Sequence, residues 1–138
     1  MKTYRVDSIS RLKSKLFSGV SVKYFRIPEN WPVSIAHETI PQNGKNIPYI
    51  VHKKTEEFVY ILKGKAKAYL GNKSFNVSSG DYLSIPAGVK HRFVTGKDPI
   101  IALSVFCPPM TFSDFDAVAY PDGKIRKINS GKTKRKTK

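Results

Sequence analysis

The chain holds three histidines, His37, His52 and His91. Histidine is the side chain that most readily moves protons near neutral pH or offers a nitrogen lone pair to a metal. Two of the three stand beside turns with distinctive spacing. From Gly80 the sequence reads GDYLSIPAGVKH: a glycine, five residues, a proline, one residue, a glycine, two residues and His91. At this composition four such fixed positions coincide by chance on the order of once in a thousand chains of this length. Each position has a mechanical reason. Gly80 and Gly88 permit turn conformations closed to other residues, and Pro86 ends a strand without needing a donor. Upstream, His52 is followed five positions later by Glu57, and Glu57 by six residues and Gly64. Lys53 to Glu56 reads as a tight turn, so His52 and Glu57 are expected on successive strands, meeting across that strand pair.

The elements that must position these residues are short. Pro and Gly punctuate the chain at close intervals. Asp7 or Ser8 is expected to cap a short N-terminal helix through Ile9, Leu12, Leu16 and Phe17, ended by Gly19. From Val20 onward the pattern is strands, at 21–27, 33–40, 49–53, 58–62, 66–70, 74–77, 81–85, 91–95 and 100–106. Ala66, Ala68 and Leu70 alternate with Lys65, Lys67 and Tyr69, the period of a half-exposed strand. Gly71-Asn72 is a hairpin signal. About nine short strands with turns every eight to twelve residues predict an antiparallel sandwich or barrel. In 58–62 and 100–106 both faces are mostly apolar. The outer face therefore needs a cover, and a second copy of the chain, giving a homodimer, is the expected one.

Length and composition limit what such a barrel belongs to. The 138 residues are one domain's worth of chain, 40% hydrophobic and 25% charged, as in ordinary globular proteins. The longest apolar run, Phe58 to Leu62, is far short of the roughly 18 residues a membrane helix needs, so no membrane partner is expected. No apolar stretch follows the first residues, so no secretory signal is expected either. The single Cys107 cannot form an internal disulfide, which fits a reducing, cytoplasmic setting; it reads as a small buried apolar residue. Charge is the unusual property: 25 Lys and Arg against 10 Asp and Glu, net +15. Much of the excess lies in KIRKINSGKTKRKTK, from Lys124 to Lys138, which holds no acid. The chain is expected to divide into an N-terminal segment 1–32, a barrel 33–112, an extension 113–128 and a basic, disordered tail 129–138 that folding does not need. Such a tail could engage the phosphates of a nucleic acid. Aromatic residues do not interleave with its basic ones, so a solubilising terminus is the simpler reading.

The stretch from Gly80 to His91 resembles the second motif of the cupins, jelly-roll barrels of the double-stranded β-helix type. Thr95 stands where that family commonly has Asn. Glu57 and Gly64 match the end of the cupin first motif, and His52 matches its second histidine. The first histidine of that motif falls on Ile50, which cannot bind metal. The resemblance covers roughly Val33 to Pro108 and implies an all-β cupin barrel.

It also implies a divalent metal. The family pattern carries onto His52, Glu57 and His91, a set of two imidazoles and one carboxylate that suits Fe(II) with open positions and accepts Mn, Ni or Zn. The function implied is a small-molecule metalloenzyme: an oxygenase, isomerase, lyase or decarboxylase acting on a small oxygenated metabolite held in the barrel. The competing implication is a non-catalytic ligand-binding or regulatory module that has lost its metal. His37, in AHET on an earlier strand, is a candidate to replace the missing ligand or to act as general acid or base if it points inward. Glu38 has the opposite parity, so at most one of the two faces the interior. Glu56 is expected to point to solvent, and Tyr49, Tyr60, Phe93 and Phe106 to belong mostly to the core.

Overall fold

The period-two pattern of the sequence becomes eleven short strands within residues 4–120, the part of the chain that the computed structural model describes. One 3-10 turn, Ile9–Arg11, precedes β1 (Lys15–Phe17), β2 (Val20–Tyr24), β3 (Ser34–Ile40), β4 (Tyr49–His52), β5 (Glu56–Lys63) and β6 (Lys65–Leu70). There follow β7 (Lys73–Ser78), β8 (Tyr82–Ile85), β9 (His91–Thr95), β10 (Ile100–Cys107) and β11 (Ala117–Tyr120). The strands form two antiparallel sheets, ordered β1-β2-β3-β10-β5-β8 and β11-β4-β9-β6-β7. Inward residues of both sheets, among them Val59, Ile61, Ala68, Phe93, Ile100 and Ala102, share one core. Each large apolar side chain buried there contributes about 1.5–3 kcal/mol. The expected jelly-roll barrel is what forms.

Alternation sets which side chain goes where. In β5, Glu57, Val59 and Ile61 are buried while Phe58, Tyr60 and Leu62 stay 40%, 38% and 43% exposed on the outer face. β10 alternates in the same way, with Ile100, Ala102, Ser104 and Phe106 inside. Glu56 is exposed, as its parity requires, and Phe93 and Phe106 are core. Tyr60 faces outward, and Tyr49 is half-buried on the outer side of its sheet.

Four expectations need correction. The helix over Ile9 to Phe17 does not form. Ser8 caps only one 3-10 turn, Leu12 is already extended, and Leu16 is 77% exposed, so a helix would gain little burial. Lys15–Phe17 instead pairs with β2 through the tight turn at Ser18 and Gly19, both at positive φ. Within the 113–128 extension, Ala117–Tyr120 is a strand that pairs with β4. Cys107 is exposed at the end of β10 rather than buried. Finally, β4 and β5 belong to different sheets. The basic stretch 124–138 lies outside the described residues.

Candidate metal centre

The chain crosses from one sheet to the other between His52 and Glu57, so the two side chains meet across the barrel interior and not across a strand pair. His52 ends β4 and shares its inward face with Ile50 two residues earlier. Glu57 is the second residue of β5, and Phe106 of β10 lies opposite it. His91 opens β9, in register with Ile50. Backbone bonds hold these ends together. The Gly88 N–H donates to the His52 carbonyl at 2.8 Å, tying the Pro86–Gly88 turn, and so the start of β9, to the end of β4. Gly88 has φ +84°, which explains the second glycine of that motif. The crossing loop is held by Asp116, whose Oδ2 accepts from the N–H groups of Lys54 at 2.8 Å and Thr55 at 2.9 Å.

The three side chains converge. His52 Nε2 lies 3.2 Å and His91 Nε2 lies 3.4 Å from the same Glu57 oxygen, Oε1. One donor atom from each residue lies within 4.8 Å of the others. The imidazoles are stacked, ring centroids 5.3 Å apart, and the edge of Phe106 packs against His52. All three residues are buried. A divalent ion about 2.0–2.2 Å from each ligand sets neighbouring donor atoms roughly 3.0–3.5 Å apart, whether four- or six-coordinate. The two separations from Glu57 match that spacing and the third pair lies within 4.8 Å, so the donor set fits a metal. His91 also has the support a ligand needs: with Nδ1–H donating to the Val89 carbonyl at 3.1 Å, Nε2, which donates to Glu57 when protonated, is the nitrogen that can turn a lone pair to an ion. His52 Nδ1 is buried without a protein partner.

Electrostatics follow from this packing. Burial would raise Glu57, but hydrogen bonds from His52 and His91 overcome it and hold the carboxyl at about 2. Burial would lower His91, but Glu57 wins and raises it. Burial, with the charge of Glu57, pushes Glu38 up to about 7. The signs give a prediction for the metal-free protein. Stability from Glu57 is present above its unfolded value near 4.5 and is lost as pH falls toward 2. Stability from His91 is present below 6.5 and lost as pH rises, while Glu38 costs stability between 4.5 and 7. Melting temperature measured against pH in a chelator should therefore peak near 4.5 and fall from there toward neutral pH. A steady rise from pH 5 to 8 would contradict this.

His37 does not join the site. It occupies the outward parity of β3, opposite Leu103 of β10 and Lys23 of β2, and Glu38 takes the inward position. Glu38 lines the cavity beside the three residues and accepts a hydrogen bond from the Ser104 hydroxyl. Tyr24 lines it too, with its hydroxyl buried and without a protein partner. The cavity, about 70 Å³, is otherwise walled by apolar side chains such as Val22, Ile47, Val59 and Phe106. Parity had already limited the choice to His37 or Glu38; with Ile35 on one face of the strand and Ala36 and Ile40 on the other, no local pattern picks between them. No sequence signal marks Asp116, which acts through the fold. Thr95, at the family's Asn position, donates to the Pro41 carbonyl and accepts from the Gly44 N–H, pinning a turn outside the site.

Known proteins share this fold. The Cupin domain family matches residues 36–106, just over half of the chain. The chain is 40% identical over 50 residues to quercetin 2,3-dioxygenase of Bacillus subtilis, a stretch covering 36% of this chain and 15% of that enzyme. Pac13, described as a nucleoside dehydratase of Streptomyces, superimposes with a TM-score of 0.69 at 10% identity, over 86% of this chain and 92% of that one. Oxalate decarboxylase of Lactobacillus farciminis superimposes with a TM-score of 0.66 at 27% identity, over 80% of this chain and 34% of that one. The chain thus spans only a fraction of the dioxygenase and the decarboxylase. With its barrel, its two motifs and its converged His-Glu-His cluster, this chain belongs to the cupin family.

Proposed function

We propose that this cupin is a divalent-metal-dependent enzyme acting on a small oxygenated metabolite. The observation that carries the reading is the convergence of His52, Glu57 and His91, at the donor spacing of a coordinated ion, on the wall of a small apolar cavity. His52 Nε2, Glu57 Oε1 and His91 Nε2 are the ligands. A bound ion would supply Lewis acidity toward a substrate oxygen, and, as Fe(II), redox chemistry with O2. The protein does the rest. Glu57 balances one positive charge, Val89 orients His91, Phe106 shields His52, and the apolar walls exclude water so that polar contacts strengthen. Dioxygenation, decarboxylation and dehydration are the reactions in the names of the similar proteins; the last two remove an oxygen-bearing group, which supports that class without choosing among them. Elemental analysis of the purified protein, followed by chelation and reconstitution against a panel of hydroxy acids, hydroxyketones and enols, tests the reading. A protein that holds no metal and turns over nothing after reconstitution is a binding module instead.

The pair of molecules expected from the apolar outer face is part of the proposal. Phe58, Tyr60, Leu62 and Tyr82 remain 40%, 38%, 43% and 70% exposed, with Phe58 and Tyr82 stacked at 5.7 Å. Leu103 and Val105 sit beside Tyr60 and Phe58 in register, so the apolar residues are contiguous across the sheet. Sedimentation equilibrium should give a dimer mass, and Tyr60→Glu a monomer at the same concentration. A monomer mass at every concentration of the unmodified protein rules the pair out.

A further inference from the structure

We infer that Glu38 and Tyr24 form the ligand-reading half of this cavity. They take a hydroxyl on the atom next to the one a ligand places at His52, Glu57 and His91, so the site selects small molecules with two neighbouring oxygens and an apolar flank. The inference rests on the metal-centre reading and deepens it.

The register of the six-stranded sheet puts both groups on the cavity side. Val22, Glu38, Ala102 and Ile61 form one inward row across β2, β3, β10 and β5, and Tyr24, Ala36, Ser104 and Val59 form the next. Phe106 and Glu57 stand one inward position further along β10 and β5. The middle of this surface is small: Ala36, Ala102 and Ser104 leave open space where larger residues would fill the barrel. Ser104 lies between the row of Glu38 and the row of Glu57, so its hydrogen bond draws the Glu38 carboxyl along the sheet toward the three ligands. Glu38 stays outside the cluster whose donor atoms are mutually within 4.8 Å, so it is placed for a ligand of the metal and not for the metal itself.

The remaining polar capacity points the same way. Ser104 uses one Glu38 oxygen and leaves the other to the cavity. The Tyr24 hydroxyl is buried without a protein partner, and its ring packs edge-on against Phe112 and at a tilt beside Phe106. Arg92 also borders the cavity, but its guanidinium lies over the rings of Tyr49 and Tyr69. Among the described residues this leaves Glu38 and Tyr24 as the polar wall beyond the three ligands. A carboxyl beside Glu57 opposes a second anionic group on the ligand and accepts from a hydroxyl, while Tyr24 donates to, or accepts from, the same oxygen. A buried site built to pair with a hydroxyl discriminates strongly against a ligand that lacks it.

The test uses full-length protein loaded with Zn(II) and two coloured probes, 4-nitrocatechol and its methyl ether 2-methoxy-4-nitrophenol, followed by absorbance. Zinc uptake, fold by circular dichroism and probe affinity are measured for wild type, Glu38→Gln and Tyr24→Phe. Both variants should keep one zinc per chain and the wild-type spectrum. Glu38→Gln should weaken 4-nitrocatechol by about tenfold or more and shrink its advantage over the methyl ether; Tyr24→Phe should weaken it by about threefold to tenfold. Unchanged affinity in both variants, an undiminished preference in Glu38→Gln, or no probe binding to zinc-loaded wild type overturns the inference. Loss of zinc in Glu38→Gln overturns it too, since Glu38 would then be a ligand. Failure of wild type to take up zinc or any other divalent ion removes the metal-centre reading itself; full uptake with unaltered probe binding removes only this inference.

Discussion

Titrated with Fe(II), Mn(II), Ni(II) and Zn(II), the protein should take up about one equivalent of at least one of them, and His91→Ala or His52→Ala should lower that affinity roughly a hundredfold or more. The two imidazoles and Glu57 are the whole donor set within 4.8 Å among the described residues, so removing one leaves two ligands. Ile50→His makes the opposite prediction. Ile50 lines the cavity, shares the inward face with His52 and lies in register with His91. An imidazole there adds a fourth donor and should tighten binding by about tenfold or more. Calorimetry or competition with a chromogenic chelator reads both effects. If the alanine variants bind as well as wild type, the cluster is not the metal site.

The second large effect is expected far from the ligands, at Gly64→Ala. Gly64 joins β5 to β6 at φ +92°, and a Cβ built there would stand 1.9 Å from the carbonyl oxygen of Pro99. Left-handed strain costs about 1–2 kcal/mol, and a collision with backbone adds to it because neither segment can swing away. A loss on the order of 3 kcal/mol, and a melting temperature lowered by about 10 °C or more, should follow. Gly80→Ala is the control: its φ is +94°, yet nothing lies within 4 Å of the added Cβ. It should lose only the strain. Equal losses at the two positions would show that the Pro99 contact does not matter.

The contrast between those glycines shows how far a motif can be read. The sequence marks both as turn residues, and both do have positive φ. That Gly64 is also pressed against another strand connection, while Gly80 faces open space, depends on where the turn at Pro99 comes to rest.

The same division runs through the site. Two features were legible in the sequence: the strand alternation and the turn spacing from Gly80 to His91. Each is local, because side-chain parity and turn chemistry act over a few residues. The short helix read into Ile9 to Phe17 failed because helix propensity is weak beside pairing with a neighbouring strand, which only the folded sheet supplies. The choice between His37 and Glu38 also belonged to the tertiary structure. Parity says that one of them faces inward, but which one depends on the register of β3 against β2 and β10, and a slip by one residue would exchange them. Asp116 reaches back to Lys54 and Thr55 from more than sixty residues away, and no local pattern announces such a contact. The sequence by itself thus determined which residue types were available and on which face of each strand they alternate. Only the closure of two sheets around a cavity decided that His52, Glu57 and His91 meet at one point with Glu38 and Tyr24 beside them, because their proximity is set by strand order and register, which are properties of the whole chain.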